Sequence, residues 1–60
     1  MSQHSVTVWG KPYDVRVDQL SKTVWRAVGN YEGQRIETKG RTESAALKQW
    51  QEAARYRGNL

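Results

Sequence analysis

The chemistry open to this chain depends on one histidine and six carboxylates, because it contains no cysteine. Nucleophilic catalysis needs a base held beside the nucleophile, and His4 lies close to the start of the chain. The carboxylates alternate with basic residues, which is typical of a solvated surface; they are Asp14, Asp18, Glu32, Glu37, Glu43 and Glu52. We therefore expect no enzyme and no metal site.

One feature of the sequence could hold a phosphate, and its signal is weak. Gly29 and Gly33 lack the spacing of the phosphate-binding glycine loops. A helix that starts near Gly40 to Thr42 would offer free backbone amides to an anion, as most helix starts do. We expect no cofactor.

The net charge indicates the class of partner more clearly than any motif does. Ten Lys and Arg residues exceed six Asp and Glu residues, which leaves a net charge of +4 in only 60 residues. A basic surplus is typical of proteins that bind nucleic acid, although it can also serve solubility. We see no basic leader followed by an apolar run and no membrane-length apolar stretch. One domain over residues 1–60 is expected, in the cytoplasm, with residues 1–5 as a flexible tail.

The elements that must position these charges are strands first. Alternation of apolar and polar residues predicts strands at Tyr13–Asp18, Thr23–Val28 and Gln34–Lys39. Val6–Trp9 has strand-forming residues, so a fourth edge strand is left open there. Turns are expected at 10–12, 19–22 and 29–33.

A helix should follow the strands. Thr42 is a suitable N-cap residue, and Glu43 suits the first turn. An apolar stripe at helical spacing predicts the buried face; it comprises Ala46, Leu47, Trp50, Ala53 and Ala54. Gly58 is a suitable stop. The predicted fold class is α+β: an antiparallel sheet of three strands, or four, with one C-terminal helix packed on one face.

With so few apolar residues, aromatic side chains should supply much of the core. The expected core residues are Trp9, Trp25, Trp50, Tyr13, Tyr31, Tyr56, Val15, Val17, Ile36 and Leu47. Trp9 lies outside the clearest pattern, so it could instead cover an edge or form an exposed contact.

Strand alternation places one arginine per strand on the face away from the helix: Arg16, Arg26 and Arg35. Guanidinium groups can clamp phosphates or bind guanine edges. The other reading is that Asp14, Asp18 and Glu37, which share that face, simply pair with the arginines across strands. Lys39 would be the remaining excess charge there, and Arg41 follows it.

The stretch from Tyr13 to Ala54 resembles the three-stranded-sheet-plus-helix DNA-binding domains of plant ethylene-response factors and of tyrosine-recombinase arm-binding segments. The matching residues are Tyr13, Val15, Arg16, Lys22, Trp25, Arg26, Ala27, Gly33, Gln34, Arg35, Thr42, Ala45, Ala46 and Trp50. The resemblance implies that the sheet enters the DNA major groove. Arg16, Arg26 and Arg35 would then face the groove.

A second resemblance covers the passage from Ile36 to Thr42 and the helix through Ala54, which is similar to the sheet-to-helix passage of HicB-like antitoxin domains. Those domains bind a protein partner. The end of the chain is also similar to that of double-stranded-RNA-binding domains, whose N-terminal helix has no counterpart here.

These observations favour a small, non-enzymatic module that binds nucleic acid, DNA rather than RNA, through its open sheet face. The expected contacts are Arg16, Arg26, Arg35, Lys39 and Arg41. The alternative is a module that binds a protein or associates with itself through a sheet edge, with a homodimer left open.

Overall fold

The computed structural model describes residues 2–58, with side chains described for residues 3–56. Four antiparallel strands form one sheet in the order β1-β2-β3-β4, and one C-terminal helix follows them. The elements are β1 (Ser2–Val8), β2 (Lys11–Ser21), β3 (Val24–Tyr31), β4 (Gln34–Gly40) and α1 (Glu43–Gly58). The predicted α+β class is confirmed, with four strands rather than three.

Two of the three hairpins turn on a non-glycine residue followed by glycine. In both Trp9–Gly10 and Glu32–Gly33 the two residues have positive φ, between 51° and 81°. Positive φ at both central positions defines the type I′ turn, whose twist matches that of the flanking strands. The expected break at 10–12 is therefore shorter than predicted, because β2 already begins at Lys11.

The middle hairpin turns later than the sequence suggests. The turn expected at 19–22 is wrong, because β2 continues to Ser21 and the chain turns at Lys22 and Thr23. The β2–β3 register shifts between Gln19 and Ser21, so Leu20 is the extra residue of a bulge. The bulge keeps the chain extended in a segment whose polar residues alone would predict a loop.

The turn expected at 29–33 is also wrong in extent, because Gly29, Asn30 and Tyr31 belong to β3. The error arises at Gly29, because glycine there is a sequence signal for a turn. Gly29 lies beneath the Trp50 side chain, where a Cβ would stand 3.0 Å from Trp50 Cζ2. The strand therefore has glycine at this position because the helix packs closely, not because the chain turns.

The N-terminal segment is a strand rather than a flexible tail. Residues Ser2 to Val8 pair with β2 from Val17 to Lys11, so the tail predicted for residues 1–5 is wrong for Ser2 to Ser5. Met1 lies outside the described residues. The open prediction of a fourth strand near Val6–Trp9 is confirmed, although that strand ends at Val8.

The core lies between α1 and one face of the sheet. Its buried members are Val8, Val15, Val17, Ala27, Tyr31, Ile36, Ala46, Trp50 and Ala54. Tyr13, Trp25 and Leu47 pack against this cluster while half-buried. Tyr56 is 71% exposed, so its assignment to the core was wrong. Trp9 is 57% exposed, which agrees with the alternative that it lies outside the core.

The helix begins as predicted. Thr42 Oγ1 accepts a hydrogen bond of 3.0 Å from the Ala45 amide, which is the expected N-cap. Gly40 allows β4 to run directly into α1, since a Cβ there would stand 2.6 Å from the Ala46 nitrogen. Within residues 2–58, no helix has the length and apolar character to span a membrane.

Candidate nucleic-acid interface

The face of the sheet opposite α1 carries the candidate interface, which we call the open face. The cross-strand register places on it Gln3, Ser5 and Thr7 from β1, Asp14, Arg16 and Asp18 from β2, Arg26, Val28 and Asn30 from β3, and Arg35, Glu37 and Lys39 from β4. Their neighbours in sequence, such as Val15, Val17, Ala27 and Ile36, are buried beneath the helix. The predicted alternation, which places Arg16, Arg26 and Arg35 on one face, is confirmed, with one arginine on each of β2, β3 and β4.

Arg26, the central arginine, is held by acids on both sides. Its Nη2 lies 3.1 Å from Asp18 Oδ2, and its Nη1 lies 4.0 Å from Glu37 Oε2. Asp18 is its register partner on β2, and the Asp18 side chain is only 17% exposed. The charge of Arg26 is thus neutralised within the sheet, and this arginine is poorly placed to contact a ligand.

Arg16 and Arg35 behave differently. Both are exposed, and neither makes an ion pair with another described residue. They line one shallow depression of the open face, although they belong to β2 and β4 with β3 between them. The depression is also lined by Gln3, Asp14, Val28, Gly29 and Asn30.

This depression combines two cations with groups that can donate or accept hydrogen bonds. Gln3 and Asn30 carry amides that do both, and Asp14 adds a carboxylate acceptor. Val28 supplies apolar surface between them. Such a mixture can bind phosphate oxygens through the guanidinium groups and base edges through the amides.

Lys39 and Arg41 lie at another part of the surface. Both are exposed, and they line a second depression with Thr23, Val24 and Gly40, beside the start of the helix. Lys39 is on the open face, while Arg41 belongs to the bend between β4 and α1. The five basic residues predicted as contacts thus divide into the Arg16–Arg35 pair, the neutralised Arg26, and the Lys39–Arg41 pair.

The structure bears on one of the two interpretations of the arginine-bearing face, namely that its arginines pair with acids across strands. Cross-strand pairing with acids applies to Arg26, which takes both Asp18 and Glu37. It does not apply to Arg16 or Arg35 within the described residues. Because Arg26 takes both acids, Arg16 and Arg35 have no ion-pair partner among the described residues and are available to a ligand.

Sequence reasoning missed Gln3 and Asn30 as lining residues of the Arg16–Arg35 depression. Gln3 was assigned to a tail and Asn30 to a turn. The signal that could have found them is alternation continued past the expected strand ends. Carrying the even-numbered outward positions of β3 beyond Val28 reaches Asn30.

The helix side holds two further polar contacts of titratable groups. His4 Nε2 lies 3.3 Å from Glu43 Oε2, which ties β1 to the first turn of α1. The Tyr13 hydroxyl donates a 2.5 Å hydrogen bond to Glu32 Oε1, and this bond, with desolvation, raises the pKa of Tyr13 to about 12. No group of three or more potential metal ligands occurs among the residues described.

Comparisons of this chain with models of protein families, with curated proteins and with solved structures gave no match. The resemblance to sheet-plus-helix DNA-binding domains and the weaker one to HicB-like antitoxin domains therefore stay predictions. Any functional assignment has to rest on the surface of the molecule itself.

Proposed function

We propose that this protein is a non-enzymatic nucleic-acid-binding module whose open sheet face contacts duplex DNA. The observation that carries the proposal is the placement of Arg16 and Arg35, two exposed arginines without acidic partners in the described chain, around one depression. The lining of this depression has two cationic side chains and one carboxylate, Asp14, so it carries a net positive charge that attracts a polyanion.

The shape of the surface supports duplex DNA as the partner. A sheet presents its side chains on a broad, gently twisted surface, and several DNA-binding proteins place strands in a groove. The major groove of duplex DNA is wide enough to admit such a surface, whereas that of double-stranded RNA is too deep and narrow for side chains to read. Arginine also suits both phosphate clamping and bidentate contact with base edges.

The charge of the whole chain supports the same partner. A net charge of +4 would attract a polyanion and speed its association at low salt. Lys39 and Arg41, exposed beside the start of the helix, extend the basic surface from β4 toward α1. These two residues are suited to further phosphate contacts beside those of Arg16 and Arg35.

The test compares single arginine-to-glutamine variants by titrating labelled duplex DNA at several salt concentrations. Arg16→Gln and Arg35→Gln should each weaken binding and lower the log–log salt slope by about one, because each removes one phosphate-neutralising charge. Lys48→Gln, an exposed position on the opposite, helical side, removes the same charge and should leave the slope nearly unchanged.

Arg26→Gln provides a second, internal comparison. Removing this guanidinium leaves Asp18 and Glu37 without their partner, so it should lower stability more than DNA affinity. If wild type does not bind DNA at low salt, or if Lys48→Gln weakens binding as much as Arg16→Gln and Arg35→Gln do, the open face is not the interface.

A further inference from the structure

The two outer strands of the sheet differ in how their edges are protected. On β4, the open-face side chains are Arg35, Glu37 and Lys39, and charged residues on an edge strand discourage pairing with another chain. On β1, the corresponding side chains are Gln3, Ser5 and Thr7, all neutral and all exposed. The chain thus leaves the open-face side of one edge without charge although its net charge is +4.

Proline reveals which backbone groups of β1 point outward. Thr7 pairs with Pro12, and proline has no amide hydrogen, so these two residues cannot exchange two backbone hydrogen bonds. Hydrogen-bonded and non-hydrogen-bonded pairs alternate along an antiparallel ladder. Thr7 with Pro12 is therefore a non-hydrogen-bonded pair. The alternate pairs along the ladder, Ser5 with Asp14 and Gln3 with Arg16, are of the same type.

It follows that Gln3, Ser5 and Thr7 direct their amide and carbonyl groups away from β2, toward the free edge. One contact agrees with this assignment, because the side-chain amide of Gln51 in α1 donates a 2.8 Å hydrogen bond to the Thr7 carbonyl oxygen. That carbonyl is already within reach of a donor from outside the sheet. Among the described residues, no other contact from outside the sheet reaches the backbone of these three positions.

We propose that β1 pairs with β1 of a second copy of this chain, antiparallel and centred on Ser5. In that register Ser5 lies opposite Ser5 of the second copy, and Gln3 lies opposite Thr7. All three outward-directed residues then pair, and no like charges meet at the seam. The Thr7 carbonyl keeps Gln51 on one lone pair and accepts the new amide on the other.

The pairing would extend the sheet from four strands to eight. A two-fold axis perpendicular to the sheet keeps both helices on one side and both open faces on the other. The two Arg16 residues would lie three strand spacings apart across the sheet and four residues apart along the strands, which together give about 20 Å. The dimer therefore doubles the open face into one surface, while the association itself does not depend on nucleic-acid binding.

Charge exchange at Ser5 tests both the pairing and its register. Light scattering after size-exclusion chromatography should show wild type moving from monomer to dimer mass as its concentration rises to millimolar. Ser5→Lys alone and Ser5→Glu alone should each raise the dissociation constant about tenfold or more, because like charges then face each other across the seam. An equimolar mixture of the two variants should recover the dimer, since opposite charges now meet.

Gln49→Lys and Gln49→Glu are the matched controls, because they add the same charges at an exposed position on α1, away from the edge. Hydrogen exchange adds an independent readout. On dimerisation the amides of Gln3, Ser5 and Thr7 should become protected, whereas those of His4, Val6 and Val8 are already bonded to β2 in the monomer.

Three results would overturn the proposal. They are a wild type that stays monomeric at millimolar concentration, Ser5 variants that dimerise as wild type does, and a mixture of folded Ser5→Lys and Ser5→Glu that stays monomeric. The DNA titrations are scored separately, so a monomer that still binds DNA through Arg16 and Arg35 would overturn the dimer alone.

Discussion

Trp50 packs directly against the backbone of Gly29, and this contact joins the helix to the centre of the sheet. A Cβ on Gly29 would stand 3.0 Å from Trp50 Cζ2 and 2.9 Å from the Asp14 carbonyl oxygen. Beside this contact, the indole Nε1 donates a 3.1 Å hydrogen bond to the carbonyl oxygen of Ile36, the strand partner of Gly29 on β4. One side chain thus binds α1 to both β3 and β4.

Gly29→Ala should therefore destabilise the protein by about 1–3 kcal/mol, the usual cost of extra volume in a packed core. The free energy of unfolding from urea titration measures it. Asn30→Ala, at the next and exposed position of the same strand, should change stability by about 0.5 kcal/mol or less. A Gly29→Ala protein as stable as wild type would show that the Trp50 contact is not tight.

Trp50→Ala should cost about 3–5 kcal/mol, because it empties the largest fully buried side-chain position and removes the bond to Ile36. A domain of this size has little more stability than that to lose, so the variant should melt without a cooperative transition. Thermal unfolding followed by circular dichroism measures this. A cooperative melt within a few degrees of wild type would contradict the role of Trp50 as the core.

Tyr13 should make stability depend on pH at alkaline values. Its pKa rises from 10.0 to about 12 because the hydroxyl donates to Glu32 and is partly desolvated. Folding thus favours the protonated phenol, so this contribution is complete below about pH 10 and disappears as the pH rises toward 12.

Ultraviolet titration of phenolate formation, compared between wild type and Tyr13→Phe, isolates this group, since the variant should lack the latest-titrating tyrosine. Unfolding measured across the same pH range should show a smaller loss of stability in Tyr13→Phe. The prediction is wrong if wild type and Tyr13→Phe titrate alike near pH 12.

Trp9 holds a left-handed backbone conformation, with φ of 52°, that bulky residues rarely adopt. Two contacts offset this strain: its Nε1 donates to the Arg55 carbonyl oxygen at 3.3 Å, and the Arg55 guanidinium lies 5.4 Å from its ring centroid. Each is worth about 1 kcal/mol at an exposed site.

Trp9→Asn should consequently leave stability within about 1 kcal/mol of wild type, because asparagine tolerates the left-handed region that the type I′ turn requires. Trp9→Ala loses the same contacts and keeps the strain, so it should be less stable than Trp9→Asn by about 1 kcal/mol. Equal melting temperatures for the two variants would show that the turn is not strained at this position.

The local spacing of apolar and polar residues predicted much of the architecture. The change from period two to helical spacing at Gly40 to Thr42 predicted the helix start that Thr42 caps, and alternation placed Arg16, Arg26 and Arg35 on one face. Both follow from the geometry of a single element, since side chains alternate in a strand and recur every three or four residues in a helix. No long-range information is needed for such assignments.

Which arginine is free was decided only by the tertiary structure. Alternation gives the face of a residue but not its neighbour on the next strand, and that neighbour depends on the turns and on the bulge at Leu20. The register sets Arg26 opposite Asp18 on β2, with Glu37 as a diagonal neighbour on β4. Arg16 and Arg35 are left beside one depression. Gly29 was misread for the same reason, because the residue that requires glycine there, Trp50, is distant in sequence and close only in the folded chain.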